Sequence, residues 1–469
     1  MKKNFKTIIC HMKRINRILA LGGIMAAYLA SVAQNTNSGY FLEGYSYRYQ
    51  MNPAFGNDRH FVSMPALGNL NLAVRGNLHL SSIVYSLNGR TVLFTNPGIS
   101  ASEVMGNLSD KNRIGANVKL NILSAGFKAF GGYNTVSVNA RSNVNAIVPK
   151  AFFSLAKEGI SNKTYDIRNL RARAMGYAEL ALNHSHDIKA LPGLRIGASV
   201  KALVGVANFD AYFNEADLTL GENEWIARTN ADIYANIGGF QYEHETNKKG
   251  GEYVSGMNLD GDGSIGPNGF GVAFDLGATY QWGDFNFSVA ALDLGFISFS
   301  DTRHATTGGT RTVNTDAYIF NADDDASNSF SNEWKRLRDN LEELYQLDDM
   351  GNIGKRSVGL GATLNVGVDY TLPVYRKLHF GLLSSTRFQG EYTWSEVRLS
   401  ANVAPVKCFS ADANVAVGTY GVGFGWLLNL HTKGFNLFLG MDHTLGKVTK
   451  EYAPLSSNAS VNFGMNFPF

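Results

Sequence analysis

His184, Ser185, His186 and Asp187 put two imidazoles, a hydroxyl and a carboxylate in one short run. These groups serve as metal ligands, or as the base and nucleophile of a hydrolase. Either chemistry needs a partner: a metal needs a third ligand, and a nucleophile needs a base held against it. The neighbouring sequence supplies neither. The run falls at a strand end, where polar residues are expected anyway, so no catalytic or metal role is assigned and the chain reads as a non-enzyme. Asn258, Asp260, Asp262 and Gly263 occupy the first, third, fifth and sixth places of a calcium-binding loop. The twelfth place holds Gly269 instead of the bidentate glutamate, which leaves a weak candidate that a Gly- and Asp-rich surface loop also explains. Asp323, Asp324 and Asp325 read as a solvated acidic run. No phosphate-cradling glycine loop stands between a strand and a helix, and no cofactor is expected.

The elements that position these residues are strands. From Ala459 to Phe469, apolar Ala459, Val461, Phe463, Met465, Phe467 and Phe469 alternate with Ser460, Asn462, Gly464, Asn466 and Pro468. Successive side chains of a strand point to opposite faces, so this segment has a greasy face and a small polar face. Lipid outside and a wetter lumen inside demand that pattern. Phe463, Phe467 and Phe469 are read as the assembly signal of the closing strand.

Composition agrees. The 469 residues carry 17% charged side chains, below the usual quarter, with 50 Gly, 29 Phe and 21 Tyr at a mean hydropathy of −0.12. Past the N-terminus no apolar run approaches the roughly 18 residues of a helical span. Spacing the apolar residues every second position keeps the average near zero.

The first 33 residues read as an export signal. Lys13, Arg14 and Arg17 precede an apolar run from Ile18 to Ala30, and Ser31, Val32 and Ala33 suit signal peptidase, with cleavage expected between Ala33 and Gln34. Met1 or Met12 can serve as the start. Removing this segment takes six basic residues and no acidic one, moving the formal charge from +3 to −3. The mature chain therefore carries no electrostatic footprint for nucleic acid. Cys408 is left as a single thiol, so sheet closure and packing must hold the fold.

Residues 34–66 form an aromatic, irregular leader, with Tyr40, Phe41, Tyr45, Tyr47 and Tyr49 ahead of Asn52, Pro53, Ala54 and Phe55. It is read as a plug entering the barrel, with an extended periplasmic leader as the alternative. Residues 67–469 then show recurrent alternating segments with turn punctuation, each near the 9 to 11 residues that span a bilayer. Fourteen strands are expected in an antiparallel up-and-down transmembrane β-barrel. Insertions are expected near 148–170, 236–268 and 300–354, with short helices near 150–160 and 332–347.

The leader residues Asn52, Pro53, Ala54 and Phe55, the following Phe61 to Pro65, Gly68 to Leu72 and Leu155 to Ile160 resemble an uncharacterised family of Gram-negative outer-membrane proteins with a domain of unknown function. That family in turn resembles the FadL-type fatty-acid transporters and the type IX secretion shuttle PorV. The resemblance implies a plugged fourteen-strand barrel in the bacterial outer membrane, with Asn52, Pro53 and Phe55 as plug candidates. Two functions are expected from it: passive uptake of hydrophobic or amphipathic small molecules, or a non-transporting scaffold that binds a secretion-system protein. Membrane lipid and the outer-membrane assembly machinery are the remaining partners expected.

Overall fold

The computed structural model describes residues 37–88, 90–158, 163–220, 224–246, 250–259, 266–316, 346–444 and 458–469. Ala33 and Gln34, the calcium-loop positions Asp260 and Asp262, the acidic run at Asp323, and all but the last two residues of the helix expected over 332–347 lie outside the described residues. Strand β1 runs over Phe61–Ser63 and, after a break, Leu70–Gly76. Then follow β2 (Lys111–Ala129), β3 (Gly132–Pro149), β4 (Arg171–Asp187), β5 (Leu194–Leu220), β6 (Gly269–Trp282) and β7 (Phe285–Phe299). Strand β8 comprises Arg356–Gly359 and Ala362–Thr371. The circuit finishes with β9 (Leu378–Phe388), β10 (Trp394–Val406), β11 (Phe409–Gly418), β12 (Gly421–His431), β13 (Asn436–Met441) and β14 (Ala459–Pro468).

Each strand pairs antiparallel with the next, and β14 returns to both halves of β1, with Phe61 opposite Pro468 and Leu70 opposite Phe463. The result is a closed, fourteen-strand, up-and-down barrel, as the alternation predicts. Closure leaves the barrel without an open edge, the arrangement that lets a sheet satisfy its backbone amides in hydrocarbon. On β6, Phe274 and Leu276 are exposed while Asp275 between them is buried. The same inversion repeats at Leu382 against Leu383, Val397 against Arg398 and Val415 against Asn414, so the exposed apolar side chains form the lipid belt.

The two rims differ. At one, hereafter the turn rim, the connections are short, three of them two residues long: Phe130–Gly131, Gly283–Asp284, where Gly283 adopts φ 59°, and Lys407–Cys408. Both Phe61 and Phe469 lie at this rim. At the loop rim, strands continue beyond the belt. The expected spans of 9 to 11 residues fail here: β5 has 27 residues, and β13 only six. Beyond Gly205, β5 keeps its pairing with β4 as far as Tyr212 but leaves β6 and pairs instead with Glu224–Ile237, which pairs in turn with Arg303–Thr306 and Arg311–Asp316. A hairpin of Phe240–Thr246 and Glu252–Leu259 packs on this extension. A second outer lobe gathers Leu78, Ile99, Val104 and Leu108 against Phe153, using helices α1 (Ala101–Gly106) and α2 (Lys150–Glu158). Ser100 caps α1 by accepting from the Glu103 amide at 3.1 Å.

Candidate functional site

A barrel of fourteen strands is wider than its own inward side chains can fill, and the space inside is the natural site. The leader occupies the turn-rim half. Tyr40, Phe41, Leu42, Tyr45, Tyr47, Tyr49, Met51 and Phe55 form one buried cluster with the wall residues Phe61, Tyr133, Leu383, Leu427 and Phe438. Its rings meet edge to face, Tyr40 with Phe55 at 5.0 Å and Tyr45 with Phe438 at 4.9 Å. Such pairs add about 0.5–1.5 kcal/mol each beyond burial. Arg48 braces the segment from within, donating from Nε to the Tyr40 carbonyl at 3.0 Å with its guanidinium 4.2 Å from the Phe55 ring centre.

The wall grips the backbone of this segment. Asp442 accepts from the amides of Asn37 at 2.9 Å and Ser38 at 2.6 Å. Asn365 donates to the Met51 carbonyl at 2.9 Å, and Asn183 to the Pro53 carbonyl at 3.3 Å. Asn52 is fully buried; its Oδ1 accepts from the Ala54 amide at 2.9 Å, and its Nδ2 donates to the wall carbonyls of Val289 and Ala278 at 3.3 and 3.4 Å. Two wall glycines make room. A Cβ on Gly197 would stand 2.2 Å from the Pro53 oxygen, and one on Gly277 would stand 2.1 Å from Asn52 Oδ1. The plug candidates Asn52, Pro53 and Phe55 thus meet in one place.

Above the plug lies a belt of buried charge. Arg141 on β3 reaches across the lumen with both terminal nitrogens 2.8 Å from the Asp293 carboxylate on β7, and Nη1 also donates to Glu179 at 2.8 Å. Lys201 stands 2.7 Å from both Asp275 and Asp293, and Arg387 is 3.8 Å from Asp293. Asp293 sits on a β-bulge with φ 58°, a conformation a non-glycine residue rarely takes, and its amide donates to Asp275 at 2.7 Å. A second buried group at β10 and β1 joins Glu396, Arg398 and Arg75 to Asp442.

Two small clefts open at this belt. Both include Arg141 and Arg387; Tyr177, Asn117 and Asn143 line the first, Asp293, Thr363 and Asn365 the second. Beyond them, toward the loop rim, Met175, Leu203, Ile297, Phe299, Val358 and Leu360 form an apolar inner wall.

The other residues singled out by sequence fall apart or lie at the boundary. Strand alternation turns Ser185 into the lumen, where it accepts from Arg195 at 3.0 Å, whereas His184 and His186 are on the opposite face, 3.1 Å from each other. Neither imidazole therefore faces the hydroxyl, and Arg195, which donates to it, also lies 3.5 Å from Asp187. Asn258 belongs to the outer hairpin. Phe463, Met465 and Phe467 follow the outer face of β14, and the Phe469 amide donates to the His60 carbonyl at 3.0 Å. Among the described residues, no group of three or more His, Cys, Asp or Glu side chains is arranged to hold a metal. The charge belt escaped sequence reasoning, although Glu179 between Ala178 and Leu180 carried its signal: an ion at inward parity in the middle of a spanning strand.

A profile of a family of unknown function (DUF5723) matches residues 53–442. No curated protein matches in sequence. Among solved structures, the chain is similar to the Pseudomonas putida toluene transporter TodX at 9% identity, with 93% of this chain and 97% of the other covered and a TM-score of 0.39. It is similar to the Ralstonia pickettii toluene transporter TbuX at 8%, covering 89% and 91%, with a TM-score of 0.39. A Pseudomonas aeruginosa FadL homologue stands at 9%, covering 94% and 98%, with a TM-score of 0.36. Likenesses this slight carry no argument about function, and the barrel is read from its own strand pairing.

Proposed function

This chain belongs to DUF5723, a family of unknown function, and from its own geometry we propose that it is an outer-membrane passive uptake channel for amphipathic small molecules, closed at rest by its N-terminal plug. A barrel with short turns at one rim and long loops at the other sits in the outer membrane with the turn rim in the periplasm. The observation that carries the reading is the plug itself. It fills the lumen as a separable segment, held through side-chain contacts and wall glycines instead of joining the sheet, so its movement opens a path.

The lining supports the substrate class. Arg141 and Arg387 offer donors to a polar or anionic head, and Tyr177 with the apolar wall from Met175 to Leu360 suits a greasy tail. A wholly apolar ligand would exclude water from this ion-paired belt without offering its charged groups a further partner, which disfavours it. Against transport, the large outer sheet and lobe give the scaffold reading a specific basis, since a minimal pore needs neither.

Planar-bilayer recording and ligand co-purification separate the two. Uptake predicts small, rare currents from the wild type and steady currents from a folded variant lacking residues 37–56. A folded, plug-less barrel that stays silent, together with a stoichiometric protein partner, would establish the scaffold instead.

A further inference from the structure

We propose that the turn rim is a recognition surface for anionic phospholipid headgroups of the periplasmic leaflet. Five of the six short turns share one pattern: a cation beside an apolar side chain. Lys128 precedes Phe130 in the β2–β3 turn, and Lys189 precedes Leu191 in the β4–β5 turn. Val374 and Tyr375 adjoin Arg376 and Lys377 between β8 and β9. Lys407 follows Val406, and Lys433 comes before Phe435. The exception is Gly283–Asp284, whose carboxylate lies 3.1 Å from Arg376.

The apolar members project. Phe130 and Val374 are each 89% exposed. Phe130 also holds φ 56°, a left-handed turn position that favours glycine or asparagine and strains a bulky aromatic. An exposed, strained phenylalanine at a turn tip serves contact with something apolar.

Charge selects what that is. The rim acids are few: Asp187 faces Arg195 at 3.5 Å, Asp284 faces Arg376, and Glu43, Asp58 and the terminal carboxylate stand at the plug mouth. Among the described residues, Lys128, Lys189, Lys407 and Lys433 pair with no carboxylate, so an excess of positive charge surrounds the rim of a chain expected to be net negative once its signal is removed. A lysine stem along acyl chains with its ammonium at a phosphate, next to a side chain dipping into the boundary, is the chemistry of an anionic lipid interface. A soluble polyanion would satisfy the lysines and leave Phe130 and Val374 in water. The inference does not depend on what the channel carries.

Trp282, 65% exposed at the same rim, supplies the probe. Its fluorescence is read in vesicles of brominated phosphatidylcholine and in equimolar mixtures with brominated phosphatidylglycerol, with Trp282→Phe subtracting the other tryptophans. The proposal predicts about fivefold enrichment of the anionic lipid per engaged cation. The preference should fall toward unity in the combined Lys128→Gln, Lys189→Gln, Lys407→Gln, Lys433→Gln variant, survive in the matching Lys→Arg variant, and weaken in the wild type at about 0.5 M salt. Equal quenching by the two lipids, a preference unchanged in the Gln variant, or a wild-type preference indifferent to salt would each overturn it. So would capture by an acidic glycan polymer in a protein that shows no lipid preference.

Discussion

Replacing Gly197 with alanine should unlock the plug. Gly197 lies on β5 between Ser185 on β4 and Gly277 on β6, so its backbone is held from both sides. The added Cβ would stand 2.2 Å from the Pro53 oxygen, 2.3 Å from its carbonyl carbon and 2.5 Å from the Ala54 nitrogen. All three are backbone atoms, so a side-chain swing gives no relief and the plug must retreat by about 1 Å or more to reach ordinary contact. Overpacking of this kind costs about 1–3 kcal/mol, and retreat also forfeits the Asn183 bond to Pro53 and strains those of Asn52, about 1 kcal/mol more. A destabilisation of about 2–4 kcal/mol raises the ratio of open to closed channels roughly 30- to 900-fold. Open probability in planar bilayers reads this directly. Gly359→Ala, whose Cβ would meet nothing within 4 Å, should leave it unchanged. A folded Gly197→Ala barrel with wild-type open probability would refute the reasoning.

Other perturbations have equally defined outcomes. Asn52→Ala removes a fully buried side chain that joins plug to wall, and open probability should rise by about tenfold, since the lost bonds are worth about 1–1.5 kcal/mol. Asp293→Asn leaves Arg141 and Lys201 buried without their shared carboxylate, and the barrel should lose about 3–5 kcal/mol, seen as an earlier transition in heat-modified gel migration. Adding Arg141→Met should recover part of that loss; no recovery would show that the two do not act as a pair. Phe467→Asp puts a carboxylate on the lipid face near the turn rim and should lower the folded fraction in the outer membrane, whereas wild-type surface levels would count against an outward Phe467.

Much of the barrel was legible because strand alternation is local. In β14 the polar set Ser460, Asn462 and Asn466 is buried and Phe467 is exposed, as the simple period of two demands. Bulges defeat that arithmetic. The register shift between β4 and β5 opposite Gly176 breaks the two-residue period, so the outer half of β5 places Asp210 against Arg356 at 2.6 Å instead of continuing the lipid face. The shift at Asp275 and Asp293 likewise cannot be read from either strand alone. The charge belt is hidden for another reason. Arg141 and Asp293 are 152 residues apart, and only barrel closure brings them together. The leader was visible as an aromatic segment, but its seat is built by glycines on remote strands: Gly367 and Gly381 leave room for Phe41, and Gly197 and Gly277 for Pro53 and Asn52. Nothing in the leader names those positions.

The central claim, that residues 37–56 close the lumen by filling it, is tested most directly by thiol accessibility. With Cys408 replaced by serine, a cysteine at Leu42, which is 1% exposed, is treated with a water-soluble maleimide in the reconstituted protein. The account predicts labelling slowed by orders of magnitude relative to Cys408 in the parent protein, with the rate restored by Gly197→Ala. Labelling of Leu42→Cys as fast as exposed Cys408, in an otherwise unaltered barrel, would contradict it.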